Sequence, residues 1–261
     1  MNINLDKTNN ELIRKRRKRR AIRRNIVLII LLVAVSITLC LKLTYFNVDT
    51  VAIHNNSIIS SEEITENANI NFGTNIFYMN LKQIKTNVLG NPYIEEVAVK
   101  RLLPRTISIT VKEREAKFYG EADNQYVIID NNGVMLEKRD NIDGMNLTRL
   151  SGLEFQKAEL GVLVPGVDER KQEIIRTITE LIGLNSSDIK IDSVNLESTV
   201  NIEMHCQNIL VKLGDGENLK QKMNKALNII VANNLISQKG YVDVSFNGNP
   251  VIDIEKQEDK E

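Results

Sequence analysis

Tryptophan is absent from this chain, and cysteine and histidine each occur only twice in 261 residues. Cys40 lies in a long apolar run and Cys206 far downstream, so the two do not pair within one chain. That excludes a small disulfide-stapled ectodomain. Cys206 sits among alternating apolar residues and reads as a buried hydrophobe rather than a reactive thiol. His54 and His205 lack the spacing of metal ligands. Neither G-x-S-x-G nor H-E-x-x-H occurs. Gly214-Asp215-Gly216 precedes a helical pattern, but Leu219 stands where a phosphate-binding loop needs glycine, so the stretch reads as a tight turn. The acid pairs Glu62-Glu63 and Glu95-Glu96 read as solvated faces. A glycosidase would need two carboxylates across a cleft, and nothing places either pair so. The expectation is therefore no catalytic, cofactor-binding or metal residue, no cofactor and no small-molecule substrate.

An excess of one charge sign is also lacking: 34 basic residues balance 34 acidic ones. The balance hides an asymmetry. Residues 1–25 hold ten basic and two acidic residues, and the remainder holds 24 basic and 32 acidic. A mildly acidic main part argues against nucleic acid as a partner. Nine of the cations fall between Arg14 and Arg24, directly before the uncharged run Asn25–Leu41. That run has 17 residues, the lower limit for a membrane span. Lys42 can snorkel, which extends the span to Tyr45 or Phe46, two aromatics suited to the membrane interface.

A cleaved signal would have a shorter core and an A-x-A-like site, and Lys42-Leu43-Thr44-Tyr45-Phe46 offers none. Leu39 before Cys40 departs from a lipoprotein signal, which needs a small residue there. The cations are then a topology signal and a contact for anionic lipid, which keeps the N-terminus cytoplasmic and exports the rest.

Few aromatics but abundant Ile, Val and Leu leave a β-rich core for the roughly 215 residues after the span. Val48–Ile53 alternates as a strand, and Ser60-Ser61-Glu62-Glu63 starts a short helix that ends near Asn69. A second helix is expected over Tyr78–Leu89. EEVAVKR and RTISITVKER follow as two strands of a hairpin, with Leu102-Leu103-Pro104 at its turn. The order is β-α-α-β-β. Next come a hairpin over 126–136, an irregular stretch over 152–166, and an amphipathic helix over 168–184. Strands are expected over 189–196, 200–205 and 209–213, and a helix over 216–235. A strand Tyr241–Phe246 follows, with Val242, Val244 and Phe246 toward the core and Tyr241, Asp243 and Ser245 outward. The pattern fits this strand at a sheet edge, open to a partner strand, or inside the sheet. A turn at 247–250 and a short extended piece, Val251–Ile254, complete the reading.

Three stretches then resemble the FtsQ/DivIB family of bacterial cell-division proteins. NPYIEEVAVKRLLPRTISITVKERE is similar to its strand-Arg-x-x-Pro-strand-Glu-Arg segment, and YVIIDNNGVML to its Ile-Asp-x-x-Gly hairpin. ILVKLGDGENLKQKMNKALNII with GYVDVSFNGNPVI resembles its closing helix and strand. One departure is that Glu113-Arg114 is followed by Glu115-Ala116 rather than proline. The resemblance implies an α+β fold with a single N-terminal transmembrane helix. Residues 1–24 are the basic cytoplasmic tail, 25–46 the span and 47–114 a POTRA-type domain. Residues 115–254 are a second, β-rich domain and 255–261 a disordered tail.

The resemblance further implies a non-catalytic scaffold in the cell membrane, enriched at the division septum. Its partners would be FtsL-type and FtsB/DivIC-type proteins, captured through Tyr241, Val242, Asp243, Val244, Ser245 and Phe246. Arg101 and Pro104 match the family's hairpin, in a structural or a recruiting role. The alternatives are a POTRA-bearing export or assembly helper, which would carry tandem repeats or a barrel, and a wall-active enzyme.

The charge argument has a direct test. Replacing the cations of 14–20 with Ser should let a fraction of molecules insert inverted, read as lost protease protection of the N-terminus. Unchanged topology would mean that Arg23 and Arg24 suffice.

Overall fold

The structure is a computed structural model and describes residues 3–185, 187 and 189–255. The tail expected over 256–261 lies outside the described residues. Two compact units emerge. One holds the chain up to His54 with residues 61–86 and 98–110, the other residues 55–60, 87–97 and the chain from Val111 onward.

The first unit begins with α1 (Ile3–Lys42), a single helix that runs through both the basic segment and the apolar run. Its stretch Arg16–Lys42 is long and apolar enough to cross a membrane, and none of the other described residues buries its apolar window. The helix stops at Lys42, not at Phe46 as expected, and Thr44–Phe46 is a 3-10 turn. The physical reason is a cap. A helix leaves its last carbonyls without internal partners. The side chain of Asn75, only 6% exposed, donates from Nδ2 to the carbonyls of Cys40 (2.8 Å) and Leu41 (3.2 Å).

Beyond the turn come β1 (Thr50–His54), α2 (Ser61–Ala68), α3 (Leu81–Leu89), β2 (Ile94–Leu102) and β3 (Thr106–Glu113). Their sheet has the order β1-β3-β2, with β1 parallel to β3 and Thr50 opposite Thr106. This is the expected β-α-α-β-β order. α3 starts three residues later than the apolar pattern indicates, because Asn80 caps it and accepts from the Gln83 amide at 3.2 Å. α2 ends where Asn69 turns left-handed, with φ of 50°.

The second unit is built on a nine-stranded mixed sheet in the order β12-β11-β10-β9-β8-β7-β4-β5-β6. Its strands are β4 (Ala116–Ala122), β5 (Gln125–Asp130), β6 (Met135–Arg139), β7 (Thr148–Ser151), β8 (Ser193–Asn195), β9 (Ile202–Cys206), β10 (Ile209–Gly214), β11 (Gly240–Asp243) and β12 (Val251–Ile254). Two helices, α4 (Glu169–Gly183) and α5 (Leu219–Ala232), supply Ile174, Ile178, Met223, Leu227 and Ile230 to one core. Asp168 caps α4 by accepting from the Lys171 amide. The sheet's contribution to that core can be followed straight across the strands. Leu150 pairs Val194, Val194 pairs Met204, Met204 pairs Val211, and Val211 pairs Val242. All five are at most 1% exposed. Cys206 lies in the same core, and burial, with a lesser push from the Asp192 carboxylate, raises its thiol to about 12. That keeps it an inert hydrophobe.

β4 and β7 fall where no strand was expected. β4 contains Gly120, and a Cβ at that position would land on the Phe155 ring. The glycine is a close-packing device rather than a break. The irregular stretch 152–166 is therefore not idle, since it carries the aromatic that covers the middle of β4.

Two of the stretches singled out in the sequence converge. Arg114 Nη1 donates to Asp130 Oδ2 at 2.7 Å, and Asp130 is fully buried. The other oxygen of Asp130 accepts from the amides of Asn132 and Val134, both at 2.8 Å, which shapes the turn of the β5–β6 hairpin. Removing one partner of such a buried pair costs about 3–5 kcal/mol. The neighbouring Glu113 folds residues 57–59 around its carboxylate, accepting from the amides of Ser57, Ile58 and Ile59 and from the Ser57 hydroxyl. Burial pushes the Glu113 carboxyl up, but these donors together outweigh it and hold it below its ordinary value of 4.5.

A carboxyl lowered on folding stabilises the fold fully above its unfolded value, and that stability is lost as pH falls through the lower folded value. Denaturant midpoints should drop below pH 4.5 in the native protein, and Glu113→Gln should be less stable at pH 7 with a flatter acid limb. Parallel acid limbs for the two proteins would contradict this assignment.

Candidate functional site

The strand expected to receive a partner is not the edge of its sheet. β11 lies between β10, to which it is parallel, and β12, to which it is antiparallel. Val242 and Val244 face the core, as their pattern indicates, at 0% and 3% exposure. Phe246 does not, at 46%. The strand ends at Asp243, the Val244 amide makes one more bond to the Lys212 carbonyl, and the chain then leaves the sheet. Tyr241, Asp243 and Ser245 are half-buried on the opposite face. There Lys212 Nζ stands 4.2 Å over the Tyr241 ring, a cation–π contact that occupies this tyrosine.

The edge is β12. Its register pairs Asp243 with Val251, Val242 with Ile252, Tyr241 with Asp253 and Gly240 with Ile254. Close seating depends on Gly240, where a Cβ would land on the Asp253 carbonyl oxygen. Ile252 is the next member of the row that runs from Leu150 to Val242, yet it is 43% exposed. Beside it Val251 is 45% exposed. The row is sealed across five strands and open at the sixth. An uncovered apolar strand at the end of a sheet offers backbone donors and acceptors together with apolar side chains. The only sequence signal for this was the short alternating piece Val251-Ile252-Asp253-Ile254 behind Pro250, too brief to rank above β11.

The hairpin residues are elsewhere, in the first unit. Arg101 donates from Nε to the Ile76 carbonyl at 2.8 Å and from Nη2 to the Met79 carbonyl at 2.7 Å. The guanidinium ties the hairpin to the loop that caps α1. Pro104 sits in the turn after Leu103, with a cis peptide bond between them.

Elsewhere in the second unit a cavity of about 590 Å3 is lined by Lys112, Glu113, Arg114, Lys117 and Arg176, among others. Its charges are spent on neighbours: Lys112 on Glu95 and Glu96, Lys117 on Glu115, Arg114 on Asp130. Among the described residues no group of His, Cys, Asp and Glu is arranged to hold a metal.

An N-terminal apolar helix, the one helix of membrane-spanning length among the described residues, with a β-α-α-β-β unit and a mixed sheet backed by two helices, defines a POTRA-bearing protein. Residues 46–114 match the family model "POTRA domain, FtsQ-type", and residues 119–245 match "Cell division protein FtsQ/DivIB, C-terminal". The chain is 42% identical over 250 residues to cell division protein DivIB of Clostridium acetobutylicum, covering 96% of this chain and 100% of the relative. It is 40% identical over 247 residues to DivIB of Clostridium botulinum strain Hall, covering 94% and 96%. With DivIB of Clostridium tetani the identity is 38% over 253 residues, 96% of each. The chain belongs to the FtsQ/DivIB family of cell-division proteins. The C-terminal family model stops at residue 245, short of β12.

Proposed function

We propose that this protein is a non-catalytic scaffold of the division septum that captures other single-span division proteins, of the FtsL and FtsB/DivIC types, by strand addition to β12. The observation that carries the proposal is the open end of the buried row at Ile252. Each net hydrogen bond of an added strand contributes about 1 kcal/mol. Finishing the burial of Val251 and Ile252 contributes roughly another 1 kcal/mol each, half of what a full apolar side chain yields. Of Tyr241–Phe246, the first three then act indirectly, as part of the strand against which the receiving strand lies, while Val244, Ser245 and Phe246 follow it out of the sheet. The basic segment 14–24 stays in the cytoplasm against anionic lipid, α1 spans the membrane, and both units lie outside. Arg101 and Pro104 hold the hairpin in shape.

Val244→Glu would not test this, because it buries a carboxylate in the core and unfolds the sheet. Val251→Lys with Ile252→Lys does test it, since both side chains are already exposed and added charge blunts an edge. Pull-down of the partners' exported segments should weaken at least about tenfold, equivalent to about 1.4 kcal/mol. Undiminished capture by the folded double variant would refute strand addition at β12.

A further inference from the structure

The segment that caps the anchor carries an unusual amount of exposed apolar surface. Phe77 and Tyr78 stand two and three positions after Asn75 and are 37% and 64% exposed. Phe72, in the same loop, is 54% exposed, and Tyr45, in the turn after α1, is 61% exposed. The hairpin adds Leu102 and Leu103 at 48% and 60%. These residues are separated in sequence but tied to one place. Asn75 binds the carbonyls of Cys40 and Leu41, and the Ile76 amide donates to the Phe46 carbonyl at 2.8 Å. The Phe46 and Phe77 rings stand 5.6 Å apart. Arg101 joins the hairpin to Ile76 and Met79, while Arg105 pairs with Asp49 at 2.9 Å and gives its carbonyl to the Asp49 amide.

The level of this cluster relative to the anchor is therefore set by hydrogen bonds. The uncharged part of the span ends at Leu41, whose carbonyl Asn75 holds. The polar layer outside the hydrocarbon is roughly 5–7 Å thick on each side. Residues two or three positions from Asn75, and a hairpin bonded to the same loop, fall within or beside that layer. Aromatic rings and leucines are the side chains that such an interface accepts.

We propose that this face of the first unit rests in the lipid interface, with Phe77, Tyr78 and the Leu102-Leu103 tip inserted among the headgroups and upper acyl chains. The anchor then fixes the unit's orientation as well as its position. This rests on α1 spanning the membrane, and it goes beyond that reading by giving the folded unit its own lipid contact. The occupant is lipid because the cluster is continuous with the span itself; a protein partner would have to displace the bilayer from that spot.

The absence of tryptophan makes the test clean, since one introduced indole is the only one present. The full chain is reconstituted in phosphatidylcholine vesicles brominated either near the headgroup end or near the methyl end of the acyl chain. Four single variants are compared: Leu103→Trp, Tyr78→Trp, Leu32→Trp in mid-span, and Glu62→Trp. Glu62 lies in the first turn of α2, which follows β1 in the chain, and β1 itself is about 16 Å long at ~3.3 Å per residue.

Leu103→Trp and Tyr78→Trp should lose most of their emission to the shallow bromines and little to the deep ones. Leu32→Trp should respond to the deep bromines and Glu62→Trp to neither. If Leu32→Trp is quenched while Leu103→Trp and Tyr78→Trp are not, the span stands and the lipid contact is wrong. Blue-shifted but unquenched emission from the last two would mean that protein covers the patch, which also overturns the proposal. An unquenched Leu32→Trp would remove the span and the proposal together.

Discussion

An open sheet must end somewhere, and its last strand has backbone donors and acceptors on one side that no neighbour within the sheet can meet. In the second unit that condition falls on β12, and the rest of the sheet is arranged behind it. Leu150, Val194, Met204, Val211 and Val242 form a sealed row under the helices, and Gly240 lets β12 lie close enough to extend the row to Ile252. The row stops there with its last side chain half in water. Folding already orders this edge, so a strand added there, as proposed, would cost ordering on the incoming side alone.

The first unit solves a different problem, how to hold a domain against a greasy rod. A spanning helix that ends in a loose linker would leave the domain that follows it free to tumble. Here the helix ends on Asn75, a residue more than thirty positions away, and Arg101 locks the same loop from the hairpin side. Both contacts are made with backbone carbonyls, which any side chain at those carbonyl positions would supply. The specificity therefore resides in the asparagine and the arginine. In the second unit, Glu113 and Arg114 organise their surroundings in the same economical way, one gathering three amides and the other neutralising a buried aspartate.

Much of this was legible in the sequence where one physical signal dominates. The cation run against Asn25–Leu41 marks the anchor, the apolar stripes mark α4 and α5, and Asp130 with Gly133 marks a hairpin turn. What escaped depended on contacts distant in sequence. β4 contains Gly120, which weakens a strand on paper and is explained only by Phe155 above it. β7 is four residues long, below what periodicity resolves, whereas β8 falls inside the strand expected over 189–196. The end of α1 was set by Asn75, and no local pattern near Lys42 announces it. The partner-binding region was expected at Tyr241–Phe246, but the edge lies one strand further on, because edge status depends on Val251–Ile254 folding back onto β11. Val242 and Val244 carried the inward pattern correctly, while Phe246 continued it on paper and left the sheet in space.

The central claim is that β12 is the receiving edge. The most direct measurement is amide hydrogen exchange over residues 240–255, alone and with an exported partner segment bound. The account predicts that amides of Val251–Ile254 become markedly slower on binding, while those of β11, already paired on both sides, change little. Protection that appears elsewhere and leaves Val251–Ile254 exchanging as fast as before would contradict it.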